Sequence, residues 1–80
     1  MSRHVKLHKD KNSVLFFGFD NPLFEFYYQE WNNGKYAEIR MYSPHNEDNL
    51  HVTKEAFIGK LEEYSVLPDY IELVDHFIPF

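Results

Sequence analysis

The dipeptide Asn33-Gly34 constrains the fold more than any other feature of the sequence. Both central positions of a type I′ hairpin turn need a positive φ, which Asn and Gly tolerate best. The flanking runs 24–31 and 36–42 are rich in aromatic and β-branched residues, so they predict two antiparallel strands joined by a two-residue loop. Such a loop pairs Trp31 with Tyr36.

That register, continued along the strands, sorts the side chains onto two faces. We expect a core face that holds Phe24, Phe26, Tyr28, Ala37, Ile39 and Met41, with Glu30 at its rim. The opposite face would hold Tyr27, Trp31, Tyr36, Arg40 and Tyr42, together with Glu25, Gln29 and Glu38. A slip of one residue would exchange the two faces, so the clean sorting supports this register.

The remaining sequence predicts one more strand and two helices. The apolar run 14–19 indicates a central strand, more fully buried than its neighbour, that ends at the turn 20–23. A weaker signal for a fourth strand lies near His4 and His8. Thr53 is a suitable N-cap for a helix over 53–64, and Pro68 opens a second helix that Pro79 ends.

The predicted fold class is therefore α+β. An antiparallel meander of three strands, or four with the N-terminal one, is packed on one face by two C-terminal helices. We expect the segment 77–80 to pack into the core, because exposed apolar residues there would promote aggregation.

The composition indicates a single folded domain, 1–80. In this chain of 80 residues, 44% are hydrophobic and 19% aromatic, which supplies enough large side chains for a core. There is no cysteine, which excludes disulfide scaffolds, thiolate zinc sites and thiol nucleophiles. No apolar run follows the basic N-terminus or approaches the roughly 18 residues of a membrane span. We therefore expect a cytoplasmic protein without a membrane partner.

Charge is distributed unevenly along the chain, whose net charge is −5. Residues 1–42 hold six Lys and Arg against five Asp and Glu, whereas residues 43–80 hold two against eight. Nucleic-acid affinity depends on basic groups that displace counterions, so we expect no direct nucleic-acid binding. An acidic surface can instead attract a basic protein.

Residue types that carry catalysis are present but poorly arranged. The five histidines match no zinc spacing, and we interpret them as surface residues. Ser43, His45 and Asp48 are close in sequence but lack a strand–turn–helix elbow and a glycine-lined oxyanion loop. We predict no catalytic residue, no metal site, no cofactor and a function that is not enzymatic. A small hydrolase or metal enzyme would need a pocket where polar side chains converge, namely His45, Asp48 or His76.

Two surfaces are candidates for binding a protein partner. The first is the predicted aromatic face of the hairpin, with the residue types most enriched at interface hot spots: Tyr27, Trp31, Tyr36, Arg40 and Tyr42. The second is the acidic surface of the two helices, which would imitate the phosphates of nucleic acid and occupy a cationic groove: Glu62, Glu63, Asp69, Glu72 and Asp75. Alternatively, the aromatic residues are cross-strand pairs or a dimer contact, and the acidic residues are a solvated face.

The segment 18–23, Gly-Phe-Asp-Asn-Pro-Leu, and the aromatic strand after it resemble small uncharacterised proteins of bacteria and their mobile elements. In that group a Gly–aromatic–Asp–x–Pro–Leu turn precedes a strand rich in Phe and Tyr, and a Leu-Pro step such as Leu67-Pro68 follows in the C-terminal half. The motif implies a structural turn and no active site. In size and acidity the chain is also similar in type to phage-borne inhibitors of host defence, including anti-CRISPR proteins, whose residue roles do not carry over.

These observations predict a binding protein, encoded by a phage or mobile element, that inhibits a host complex which handles nucleic acid. The alternative is a homo-oligomeric structural or accessory module whose aromatic face is buried against a copy of itself.

Overall fold

A four-stranded antiparallel sheet forms one layer of the protein, and two helices form the other. The computed structural model describes residues 3–45 and 48–80. The strands, adjacent in the sheet in chain order, are β1 (His4–Leu7), β2 (Ser13–Asp20), β3 (Glu25–Asn32) and β4 (Lys35–Tyr42). They are followed by α1 (Lys54–Glu63) and α2 (Pro68–Asp75). The predicted α+β meander with two C-terminal helices is confirmed, and the N-terminal segment supplies its fourth strand.

Local signals in the sequence set the turns. Asn33 and Gly34 have φ values of 53° and 76°, which confirms the predicted type I′ geometry between β3 and β4. Between β2 and β3, the backbone N–H of Leu23 donates to the Asp20 carboxylate at 3.4 Å. Phe24 was predicted on the core face of a strand. It lies instead in this turn with φ of 56°, so β3 begins one residue later.

Both helices begin as predicted and end on residues in the left-handed region. The Thr53 hydroxyl accepts a hydrogen bond from the Ala56 N–H at 3.1 Å, and Pro68 occupies the first turn of α2. Ser65 and Phe77 have φ values of 57° and 53° and terminate α1 and α2 respectively. The prediction that α2 continues to Pro79 is therefore wrong.

The core lies between the inner face of the sheet and the helices. Phe77 and Phe80 contact the core, as predicted for the C-terminal segment, whereas Ile78 is about half exposed. The fully buried side chains come from both layers: Leu15, Phe19, Phe26, Phe57, Leu61, Tyr64 and Val74.

A buried polar cluster, here called the Glu30 clasp, ties α1 to β3. The Glu30 side chain is buried and accepts a hydrogen bond from the Tyr64 hydroxyl at 2.5 Å. Lys60 donates to both Glu30 oxygens at 3.2 and 3.4 Å. Burial opposes the charge of Lys60, but the hydrogen bonds and negative charges of Glu30 and Glu63 together outweigh it, so the pKa of Lys60 lies above its ordinary value.

The register of β3 and β4 follows the prediction only next to the turn. Trp31 pairs with Tyr36 as expected, but Glu30 pairs with Glu38, so Ala37 is the extra residue of a β-bulge. Beyond the bulge every side chain of β4 lies on the face opposite to the one predicted.

Burial on the inner face explains the bulge. Tyr42 reaches the core, where its ring contacts Phe26 and Phe57 with centroids 6.5 and 6.1 Å away. Glu38 accepts a hydrogen bond from the Tyr28 hydroxyl at 2.9 Å. A buried aromatic ring removes more apolar area from water than the Ile or Met side chains that the predicted register would bury.

Candidate functional site

The face of the sheet opposite the helices is the leading candidate for a binding site, and it is called the outer face below. Because side chains alternate along a strand, each of the four strands contributes to it. β1 and β2 are joined by the pairs Val5–Phe16 and Leu7–Val14. The outer face comprises Val5, Leu7, Val14, Phe16, Tyr27, Gln29, Trp31, Tyr36, Ile39 and Met41.

All of these side chains keep access to solvent. Val5, Leu7 and Tyr36 are 56%, 67% and 51% exposed, and the other seven are half-buried. An exposed Leu or Val on its own is ordinary, but a contiguous apolar surface that extends across a sheet is typical of an interaction site.

A groove of about 490 Å³ runs across the outer face. Its apolar lining includes Phe16, Leu23, Tyr27, Ile39 and Met41. The opposite charges of two further lining residues, Arg3 and Asp20, leave it close to neutral.

The two charged residues of the groove, Arg3 and Asp20, influence the aromatic side chains beside them. The Arg3 guanidinium lies over the Phe16 ring, 4.6 Å from its centroid, in a cation–π contact. Burial raises the pKa of Tyr27 above its ordinary value, while Arg3 opposes the shift and Asp20 reinforces it. Tyr27 is therefore a neutral hydrogen-bonding group at physiological pH.

The structure keeps three members of the predicted aromatic face together and removes two. Tyr27, Trp31 and Tyr36 lie on the outer face, where the Trp31 and Tyr36 rings make an edge-to-face pair with centroids 5.8 Å apart. The bulge turns Arg40 and Tyr42 to the inner face, where Tyr42 is buried at 8% exposure. The expectation that Arg40 and Tyr42 lie beside Tyr27 is wrong.

Ile39 and Met41 take the two vacated positions. Both were predicted in the core, as was Ala37, which is exposed at the bulge. Because Ile39 and Met41 lie where Arg40 and Tyr42 were expected, the outer face is more apolar than the sequence predicted. One signal in the sequence indicated this apolar outer face, because β2 carries apolar residues on both of its faces. The sequence interpretation attributed Val14 and Phe16 to deeper burial of β2 rather than to a second apolar surface.

The acidic surface of the helices is partly neutralised within the chain. Glu63 lies 3.4 Å from Lys60 and 3.5 Å from Lys11. The hydrogen bond from Lys54, at 3.0 Å, lowers the pKa of Asp75. The other three predicted members are exposed and make no ion pair with residues 3–45 and 48–80: Glu62, Asp69 and Glu72.

A second polar cluster, here called the His51 clasp, fastens the loop after β4 to the sheet. His51 Nδ1 is 2.6 Å from Asp48, and its Nε2 contacts the Glu25 carboxylate. The backbone of residues 50–52 pairs with Met41 through N–H···O bonds of 2.8 and 2.9 Å. The Asp48 hydrogen bond, reinforced by Glu25, raises the pKa of His51, and the same hydrogen bond lowers the pKa of Asp48.

This arrangement does not form the catalytic constellation considered from the sequence. Asp48 bonds to His51 rather than to His45, and the His45 backbone N–H donates to the Ser43 hydroxyl at 3.2 Å. Both ring nitrogens of His51 are occupied by carboxylates, so in this geometry the ring has no free nitrogen to accept a proton from a nucleophile. The contacts indicate a structural role for His51.

The interpretation of the histidines as surface residues is wrong for three of the five. His4 packs against aromatic rings with a centroid distance of 4.9 Å to Tyr70, and the His8 and His51 side chains are 9% and 8% exposed. His4 points toward the helices because side chains alternate along β1. His8 follows β1 and contacts the Tyr64 ring, and His51 is enclosed by Asp48 and Glu25. His45 and His76 are exposed. Within the described residues no group of three or more His, Cys, Asp or Glu side chains could hold a metal ion.

Comparison with known proteins gives no relative for this chain: no family model matches it, and neither a curated protein nor a solved structure does. In the described part of the chain, neither helix is long and apolar enough to cross a membrane.

Proposed function

We propose that this chain is a protein-binding module that acts through its outer face. The observation that supports the proposal is the solvent access of a contiguous uncharged surface contributed by all four strands. A chain gains stability by burying such side chains, and here only the inner face is covered by helices. Association with a protein surface would bury the outer face too.

The groove gives this surface a place for an anchoring side chain. Interface energy concentrates where a large apolar group enters a well-packed pocket from which water is excluded. The groove is lined mainly by apolar side chains, and its uncharged polar groups are the neutral phenol of Tyr27 and the amide of Gln29, whose oxygen accepts from Trp31 Nε1 at 3.0 Å. An aromatic or long aliphatic side chain fits this chemistry.

A second candidate surface is supported by the unpaired carboxylates of the helices. Glu62, Asp69 and Glu72 are exposed and free of ion pairs with the described residues, so they present negative charge to solvent. A basic protein groove would bind there. The sequence predicts an inhibitor of a host complex that handles nucleic acid. Such an inhibitor would bind through this acidic surface, through the outer face or through both. A cytoplasmic, non-enzymatic role stays a prediction.

Capture from bacterial lysate with matched variants tests the proposal. Tyr27→Glu places a charge in the groove, Glu62→Lys reverses a charge on the helices, and Leu67→Glu adds the same charge as the first variant at an exposed position outside the outer face. We expect Tyr27→Glu to lose the proteins that the wild type and Leu67→Glu retain after nuclease treatment.

The salt dependence of capture provides an independent check. Binding through an apolar face should change little with ionic strength, whereas binding through carboxylates should weaken steeply. Loss of the captured proteins by Glu62→Lys alone, together with steep salt dependence, would contradict the outer-face proposal and favour the acidic surface.

A further inference from the structure

The charge pattern of the outer face restricts the kind of protein that fits it. The ten side chains that make up the outer face are uncharged, but Asp20 and Glu25 follow the same alternation at one end of β2 and β3 and border that face. Asp20 lines the groove together with Arg3, which has the opposite charge, and the Glu25 carboxylate is paired with His51. A strongly acidic or basic partner would therefore find no excess of complementary charge there, whereas a second copy of this face presents mostly uncharged side chains.

The negative charge of the chain lies in the other layer. The exposed carboxylates Glu55, Glu62, Asp69 and Glu72 belong to α1 and α2. Two sheets stack about 10 Å apart, and a helical layer beyond each of them places the two acidic surfaces about 30 Å from each other. This is about three times the Debye length of roughly 8–10 Å at physiological salt, so repulsion between two copies is screened.

The shape of the sheet also favours a copy of itself. Two sheets pack face to face when their twists match, with the strands of one inclined about 30° to those of the other. Two copies of one sheet necessarily have the same twist. Val14, Phe16, Ile39 and Met41 alternate with inward-pointing residues, so rows of side chains from the two copies can interdigitate.

The size of the face determines how tightly two copies would bind. Three strands of eight residues and one of four, about 4.8 Å apart and with a rise of about 3.3 Å per residue, present about 440 Å². A stable interface buries about 800 Å² on each partner, and interfaces below this size are weak or transient. The contact is therefore large enough for a reversible dimer and too small for an obligate one.

We propose that the outer face binds a second copy of this chain, sheet against sheet, with the acidic helices of both copies facing solvent. The proposal rests on the proposed function, which assigns protein binding to this face, and it names the partner. The dimer is a weak one, with a dissociation constant in the micromolar range or above.

Analytical ultracentrifugation of the purified chain over a wide concentration range tests this assignment. Leu7→Glu and Ile39→Glu each place a charge on the outer face, and the high exposure of Leu7 makes its substitution compatible with folding. Leu67→Glu, at a side chain that is 59% exposed outside the outer face, is the matched control. Circular dichroism establishes that each variant is folded.

We expect reversible dimerisation of the wild type and of Leu67→Glu, and a dissociation constant at least about tenfold higher for both outer-face variants, because a glutamate buried without a partner is unfavourable. A wild type that remains monomeric up to about 1 mM, or a dimer that only Leu67→Glu disrupts, would overturn the proposal. If the wild type is monomeric but Tyr27→Glu still abolishes capture from lysate, the proposed function stands and the partner is a different protein.

Discussion

Removal of one hydroxyl group from the Glu30 clasp should destabilise the whole domain. Tyr64 is 1% exposed, and its hydroxyl donates at 2.5 Å to a Glu30 carboxylate that is itself 7% exposed. Tyr64→Phe keeps the ring in the core and deletes this donor, together with the weaker contact of the same hydroxyl with Ser13. The carboxylate retains Lys60, at 3.2 and 3.4 Å, so its charge stays paired.

The magnitude follows from the kind of bond that is lost. A hydrogen bond to a charged group contributes about 1.5–3 kcal/mol, and this acceptor cannot recover the bond from bulk water. We expect Tyr64→Phe to lower the free energy of unfolding by about 2 kcal/mol. At roughly 4–8 °C per kcal/mol for a domain of this size, the melting temperature should fall by about 8–16 °C.

Urea unfolding followed by circular dichroism measures the loss, and Tyr36→Phe is the matched control. Tyr36 is 51% exposed on β4, so the same deletion there should change stability by less than about 0.5 kcal/mol. A double-mutant cycle with Glu30→Gln should give a coupling energy above about 1 kcal/mol. If Tyr64→Phe is as mild as Tyr36→Phe, the clasp does not stabilise the fold and the reasoning is refuted.

Three further predictions concern the helices and the loop after β4. Gly59→Ala should stabilise the protein by about 1 kcal/mol in thermal unfolding, since a Cβ at this exposed helical position meets no atom within 4 Å; a decrease would contradict the helix geometry. Ser65→Gly should also stabilise by about 1 kcal/mol, because its φ of 57° lies where only glycine is unstrained; an unchanged midpoint would show that the C-terminal turn of α1 differs. Because the pKa of His51 is raised in the folded state, the His51 side chain contributes its full stabilisation below pH 6.5, the ordinary pKa of histidine. This stabilisation is lost as the pH rises through the folded-state pKa of His51. Because the pKa of Asp48 is lowered in the folded state, the Asp48 side chain stabilises the protein above pH 3.8, the ordinary pKa of aspartate. This stabilisation is lost as the pH falls through the folded-state pKa of Asp48. The stability difference between wild type and His51→Gln should therefore be largest between these two ordinary values, and a difference independent of pH would contradict the clasp.

The positions of the turns and helix starts could be predicted from short-range sequence signals. The positive φ of Asn33 and Gly34, the cap at Thr53 and the start of α2 at Pro68 depend on backbone preferences of single residues. Such preferences act over two to four residues, so one sequence is enough to predict them. The order of strands and helices then follows.

The composition of the outer face could not be predicted in the same way, because it depends on a competition between distant residues. Whether Tyr42 or Met41 enters the core is decided by the space beside Phe57 on α1, which no local pattern encodes. The bulge at Ala37 is the result of that competition. The His51 clasp likewise joins β3 to a loop, through a contact with Glu25 across 26 positions of the chain.

The outer face is assigned most directly by mapping where association changes the protein. Amide chemical shifts of the ¹⁵N-labelled chain, measured free and with an excess of unlabelled chain or of a captured protein, report each position separately. We predict that the chemical-shift changes concentrate in the four strands, at Leu7, Phe16, Tyr27 and Ile39 and their neighbours. Shifts that cluster instead on α1 and α2, around Glu62 and Glu72, would contradict the account.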